Sequence, residues 1–145
     1  MIPLYVLLGT TIVLRVLGHA GVVYLQDWRH VVRASLGAMF LLTASAHWGK
    51  RRPDLISMVP PVFSRPAVLV TLTGIFEVLG AIALQIPKLA PLAASGLFFL
   101  LILLFPANVF AANHRLCIGG RPVPRLLPRT VIQIVFLFAI WFAGR

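Results

Sequence analysis

Six residues able to do chemistry lie inside stretches that are otherwise apolar: Arg15, His19, His47, Glu77, Asn108 and Gln133. Groups of this kind are costly in hydrocarbon and mark functional candidates. Glu77 has the most to offer. It lies about halfway along its apolar stretch, with Thr73 one turn before it and Gly80 almost one turn after. A carboxyl so placed has three readings: it holds a proton, it is paired with a cation, or it meets the polar head of a substrate or partner. Arg15 is the cation at a similar depth, so an Arg15–Glu77 ion pair that holds helices together is the structural alternative.

His47 closes the second apolar stretch, with Thr43 one turn earlier on the same face. Asn108 follows Pro106, so it is a candidate to supply the hydrogen bond that a proline removes. Gln133 lies one turn after Arg129 and is suited to an interhelical hydrogen bond. At 1.5 Å per residue, Asn108 and Gln133 lie within roughly 10 Å of the interface and Glu77 somewhat deeper. Glu77, His47, Asn108, Gln133, Thr73 and Thr43 are therefore the candidates to line a polar cavity open to one leaflet. His19 sits towards the opposite interface and is the weakest of the set. Trp48, Trp141 and Tyr24 lie at span ends, as interfacial belt residues do.

The elements that must position these groups are membrane helices. Of 145 residues, 60% are hydrophobic and 11% charged, against about 45–50% and about 25% in ordinary soluble domains. A soluble chain of this size leaves too much surface outside to hide that much apolar area. Five spans are expected, at about 2–25, 31–48, 67–86, 89–113 and 126–142, each near the length that crosses a bilayer. The first resembles a signal peptide in position only. It lacks a basic leading region and Arg15 interrupts it, so it is expected to be retained. Residues 1–145 then form one all-α domain, a polytopic membrane helix bundle. Between spans two and three, Pro53-Asp54 suits a first helical turn, and Leu55, Ile56, Met58 and Val59 give it an apolar side; a short interfacial helix or re-entrant turn is expected there. Gly119-Gly120 marks a turn before the last span.

The net charge of +10 is concentrated in the loops. Lys50, Arg51, Arg52, Arg65, Arg115, Arg121, Arg125 and Arg129 share one side; Arg29, Arg33, Lys88 and Arg145 share the other. This pattern sets topology and meets anionic lipid, rather than nucleic acid. It predicts cytoplasmic basic loops, with the N-terminus inside and the C-terminus outside. The single cysteine, Cys117, excludes an intramolecular disulfide. No His, Cys and carboxylate spacing points to a metal site.

The order Ala46-His47-Trp48, Met58-Val59-Pro60-Pro61, Leu72-Thr73-Gly74-Ile75-Phe76-Glu77-Val78-Leu79-Gly80, Phe105-Pro106-Ala107-Asn108-Val109, then Arg129 with Gln133, resembles the DoxX-like family of small bacterial integral membrane proteins. The resemblance covers roughly Arg33 to Trp141. It implies a four-helix core in the bacterial inner (cytoplasmic) membrane, with the first span as an additional N-terminal helix. It does not imply one activity: some relatives are subunits of quinone-linked sulfur-oxidising enzymes and some act in redox-stress complexes.

Three functions follow as expectations, in this order. The first is a binding protein or accessory subunit that holds a quinone or lipid near Glu77, with a partner oxidoreductase supplying any redox centre and no catalytic activity of its own. The second is a small proton-linked transporter or channel, which five short helices accommodate only in a homo-oligomer. The third is an enzyme with Glu77 as acid and His47 as base.

Overall fold

A computed structural model describes residues 2–145. Helix α1 spans Ile2–His19, α2 Trp28–Ser45, α3 Arg52–Met58, α4 Pro66–Ala83, α5 Ala90–Asn113 and α6 Leu126–Ala143. A single 3-10 turn, Val23–Gln26, joins α1 to α2. A two-stranded antiparallel hairpin, β1 (Cys117–Ile118) and β2 (Arg121–Pro122), joins α5 to α6.

The helix ends follow local chemistry. The Asp27 carboxylate accepts from the Arg29 amide at 2.7 Å and starts α2 three residues earlier than hydrophobicity alone indicates. Gly21, at φ +110°, ends the first helical stretch before Leu25. Proline opens α3 and α4, where its missing N–H is not needed. Gly119 and Gly120, at φ +59° and +74°, make the two-residue hairpin turn in a conformation that other residues resist.

Helices α2, α4, α5 and α6 form a closed ring in which α2 meets α4 and α6, and α5 meets the same two; α1 lies outside, against α2. This is the all-α bundle of four helices plus one N-terminal helix. Four helices, α1, α4, α5 and α6, are long and apolar enough to cross a membrane. Their outer faces carry exposed Ile12, Val16, Phe76, Leu79, Phe99, Leu103 and Phe138. With so much apolar surface facing outwards, the chain is a membrane protein. Helix α2 has the same length as three of these and is the most enclosed, with eight buried residues, among them Arg33 and Ser35. Its neighbours shield it from lipid, which explains how it tolerates a more polar sequence.

The interior has two unlike halves. Towards the α4–α5 turn, Leu36, Met39, Phe40, Ala81, Leu84, Leu97 and Ile140 pack into a dry apolar core. Towards the opposite end, which carries α3 and the hairpin, the buried positions include His47, Glu77 and Gln133.

Candidate functional site

The site lies on the seam between antiparallel α2 and α4. Val70, Gly74, Glu77 and Ala81 form the buried stripe of α4, at the helical spacing that puts them on one face. Gly74 allows the close approach: a Cβ there would stand 2.7 Å from His47 Cβ and 2.8 Å from its Cγ. One turn further on, Glu77 is 5% exposed. The Thr43 hydroxyl donates to Glu77 Oε2 at 2.7 Å.

Thr43 Oγ1 also lies 3.0 Å from the Phe40 carbonyl oxygen. A hydroxyl has one hydrogen and two acceptor positions. With Glu77 ionised, Thr43 donates to the carboxylate. With Glu77 carrying a proton, Glu77 can donate to Thr43 while Thr43 turns its own hydrogen to Phe40. Either charge state of the carboxyl is hydrogen-bonded by this one neighbour.

His47 stands in the turn after α2. Its Nδ1 donates to the Thr43 carbonyl at 3.2 Å, which also accepts from the Ala46 amide at the end of the helix. A carbonyl only accepts, so Nδ1 carries the hydrogen, and Nε2 of the neutral ring is left as an acceptor. Arg52 completes the seam. Its guanidinium donates to the His47 carbonyl at 2.7 Å, to the Ala67 carbonyl at 3.1 Å and to Thr71 Oγ1 at 2.9 Å. From the basic end inwards, the polar groups run Arg52 with Thr71, His47, Thr43 and Glu77. Past Glu77 the seam meets the dry core.

The expected Arg15–Glu77 ion pair is not formed. Arg15 donates to the carbonyls of Leu25 and Gln26 at 3.4 and 2.9 Å, and its guanidinium lies 4.1 Å from the Trp28 ring centre. These partners belong to the turn that follows α1 and to the first residue of α2, and α1 packs on α2 rather than α4. Thr73, next to Gly74, turns its hydroxyl back to its own helix, donating to the carbonyls of Leu69 and Val70. It offers nothing to Glu77.

Asn108 and Gln133 belong to a second seam, between α5 and α6. Arg129 donates to Asn108 Oδ1. Gln133 Nε2 donates to the Leu101 carbonyl at 2.6 Å, one position before the carbonyl that Pro106 deprives of its amide. The bond near the kink thus comes from Gln133, where the sequence pointed to Asn108. A glutamine one helix away reaches the α5 backbone, whereas Asn108 faces the Arg129 guanidinium. Among the described residues, no hydrogen bond joins Glu77, Thr43, His47 or Arg52 to Asn108, Arg129 or Gln133. His19 returns its ring to the Arg15 carbonyl at 2.8 Å, away from both seams.

Three contributors escaped the sequence reading. Arg33, counted there only as a loop charge, is 8% exposed and donates through Nε to the Ala143 carbonyl at 2.8 Å. It places a cation at the negative end of α6. Gln85 donates to the carbonyls of Arg33 and Ala81, both at 3.0 Å, and ties α2 to α4. Arg52, read only as part of a basic stop, is the outer end of the polar seam. Each caps or crosslinks a backbone carbonyl, and no spacing in the sequence marks that role.

Two surface cavities lie away from Glu77. One, about 490 Å³, lies beside the hairpin; the other, about 310 Å³, is lined by Arg15, Gly18, His19 and Gln26. Among the described residues, no three His, Cys, Asp or Glu side chains gather as a metal site would require.

Fold and site together define a polytopic membrane helix bundle with one enclosed carboxyl, hydrogen-bonded by a hydroxyl. The chain belongs to the family described as Domain of unknown function (DUF8561), whose model matches residues 36–143. Helix α1 lies outside that stretch. No curated protein and no solved structure matches the chain.

Proposed function

We propose that this protein is a membrane binding or accessory subunit that presents Glu77 to a small lipophilic molecule with a polar head, a quinone first and a lipid second. Its setting is the bacterial cytoplasmic membrane, next to a partner oxidoreductase. This agrees with what the DoxX-like resemblance implies. The charge asymmetry supports cytoplasmic basic loops, with the N-terminus inside and the C-terminus outside.

The observation that carries the reading is the partner of Glu77. A carboxyl this enclosed is held by a neutral hydroxyl, not by a cation that would bind it permanently. A ligand's carbonyl or hydroxyl can take the place of Thr43, exchanging one hydrogen bond for another. Thr43 satisfies Glu77 with or without its proton, so a proton can be lent to a bound head group.

The same seam disfavours transport. Beyond Glu77 an apolar layer of Leu36, Met39, Phe40, Ala81 and Leu84 separates it from Gln85 and Arg33 at the far end of the same seam. A polar run interrupted by an apolar layer suits binding, whereas a conduit needs a continuous path to both leaflets. An acid–base pair of Glu77 and His47 is also disfavoured, because the two side chains are joined only through Thr43.

The test is mass spectrometry of lipophilic molecules co-purified with wild type and with Glu77→Gln. An amide keeps the size of the side chain and can bond Thr43, so the fold is expected to persist, as matched thermal melts will check. A defined quinone or lipid present with wild type and depleted at least about tenfold in the variant supports the reading. That factor corresponds to about 1.4 kcal/mol, within the worth of one hydrogen bond in a dry site. Identical bulk-lipid profiles would refute it and leave Glu77 a packing residue.

A further inference from the structure

The basic end carries a second feature, independent of Glu77. The cavity of about 490 Å³ lies where α5 ends, the hairpin returns and α6 begins; its lining includes Arg115, Arg125, Asn113, Ala112, Val123 and Leu126. Arg115 has φ +50°, in the left-handed region that a non-glycine residue rarely adopts. This reversal directs the chain from α5 into the hairpin, and Arg115 and Arg125 line the same opening.

Neither arginine has a counter-ion in the chain. There are three acidic residues in all. Asp27 caps α2 at the opposite end, and Glu77 is enclosed with Thr43. Asp54 is the acidic residue at this end, and its Oδ2 accepts from the Gly119 amide at 2.7 Å. That contact ties the hairpin to α3 and holds the cavity's outer wall. Two arginines that line one cavity and have no anionic partner are complementary to a phosphate, which arginine binds through paired N–H donors. The remaining wall is apolar, from Ala112, Val123 and Leu126, and α6 leads from it into the lipid-facing part of the molecule. The volume falls within the range of small-molecule sites.

We propose that this cavity is a binding site for the phosphate of an anionic membrane phospholipid, held by Arg115 and Arg125 with the glycerol portion against Val123 and Leu126. The apolar wall and the position beside a membrane helix favour a lipid over a soluble phosphate.

The experiment uses the full chain in detergent, with phosphatidylglycerol or phosphatidylcholine added and retained lipid counted by native mass spectrometry. Wild type is compared with Arg115→Gln/Arg125→Gln and with Lys50→Gln/Arg65→Gln, which removes the same charge from the same end. Both double variants are checked for wild-type helix content and melting. The expected result is one phosphatidylglycerol retained by wild type and by the Lys50/Arg65 variant, with affinity at least about tenfold weaker in the Arg115/Arg125 variant, and little phosphatidylcholine on any of them. Equal losses in the two variants would overturn the site in favour of a diffuse basic surface. Saturable binding of inorganic phosphate to wild type without retention of phosphatidylglycerol would overturn the lipid assignment.

Discussion

Replacing Gly74 by alanine tests how closely α2 and α4 must approach to form the site. The added methyl would lie 2.7 and 2.8 Å from His47 Cβ and Cγ and 3.0 Å from Trp48 Cη2. Carbon atoms rest about 3.5–4.0 Å apart, so the helices must part by about 1 Å at this level. One turn away, the Thr43–Glu77 bond is 2.7 Å long; that parting takes it past the roughly 3.0 Å limit of a good O–H···O bond. Overpacking costs about 1–3 kcal/mol and loss of the hydrogen bond about 1 kcal/mol. Alanine's better helix propensity returns about 0.5–1 kcal/mol. The net expectation is destabilisation by about 1–3 kcal/mol. Gly96 on α5 is the control, since nothing lies within 4 Å of a Cβ placed there. Gly96→Ala is expected to stabilise by about 0.5–1 kcal/mol. Equilibrium unfolding in mixed micelles with increasing sodium dodecyl sulfate measures both. If Gly74→Ala is as stable as wild type, or shifts in the same direction as Gly96→Ala, the close seam and the site built on it are refuted.

Two further outcomes can be checked by the same unfolding assay. Arg33→Met removes the donor that caps Ala143 at the end of α6, leaves that enclosed carbonyl unsatisfied, and is expected to cost about 1–3 kcal/mol; a neutral result would show that water serves the carbonyl equally well. Arg129→Met and Asn108→Leu should be non-additive, with a coupling of about 0.6–2 kcal/mol in a double-mutant cycle. Additive losses would mean that the Arg129–Asn108 contact does not tie α6 to the kinked part of α5.

Much of the architecture is legible before any coordinates. Lipid as the solvent follows from how few charges interrupt the apolar runs, and approximate helix positions follow from those runs together with Pro53-Asp54 and the Gly119-Gly120 pair. The short helix over Arg52–Met58 was visible in Pro53-Asp54 and an apolar side. The end of α1 was less so. Val22, Val23 and Leu25 are as apolar as the helix before them, and only the backbone conformation at Gly21 stops it. The depth of Glu77 was also readable, but its companion on the buried face was expected to be Thr73 and is Gly74.

Partners were not readable, because they depend on how each helix is rotated and which helix stands beside it. Arg15 and Glu77 match in depth, yet α1 stands behind α2 and cannot reach α4. Asn108 follows the proline, yet the donor near the kink is Gln133, from another helix. Arg33 reads as a loop charge, although it closes the end of a helix more than a hundred residues later in the chain. Sequence by itself determined that this chain lives in a membrane, roughly where its helices run and which residues are too polar for lipid, since each of these is a local transfer energy or a local backbone preference. Only the tertiary structure decided that Glu77 meets a hydroxyl and that His47, Thr43 and Glu77 line one seam between α2 and α4, because those facts rest on contacts between helices that local energies leave unspecified.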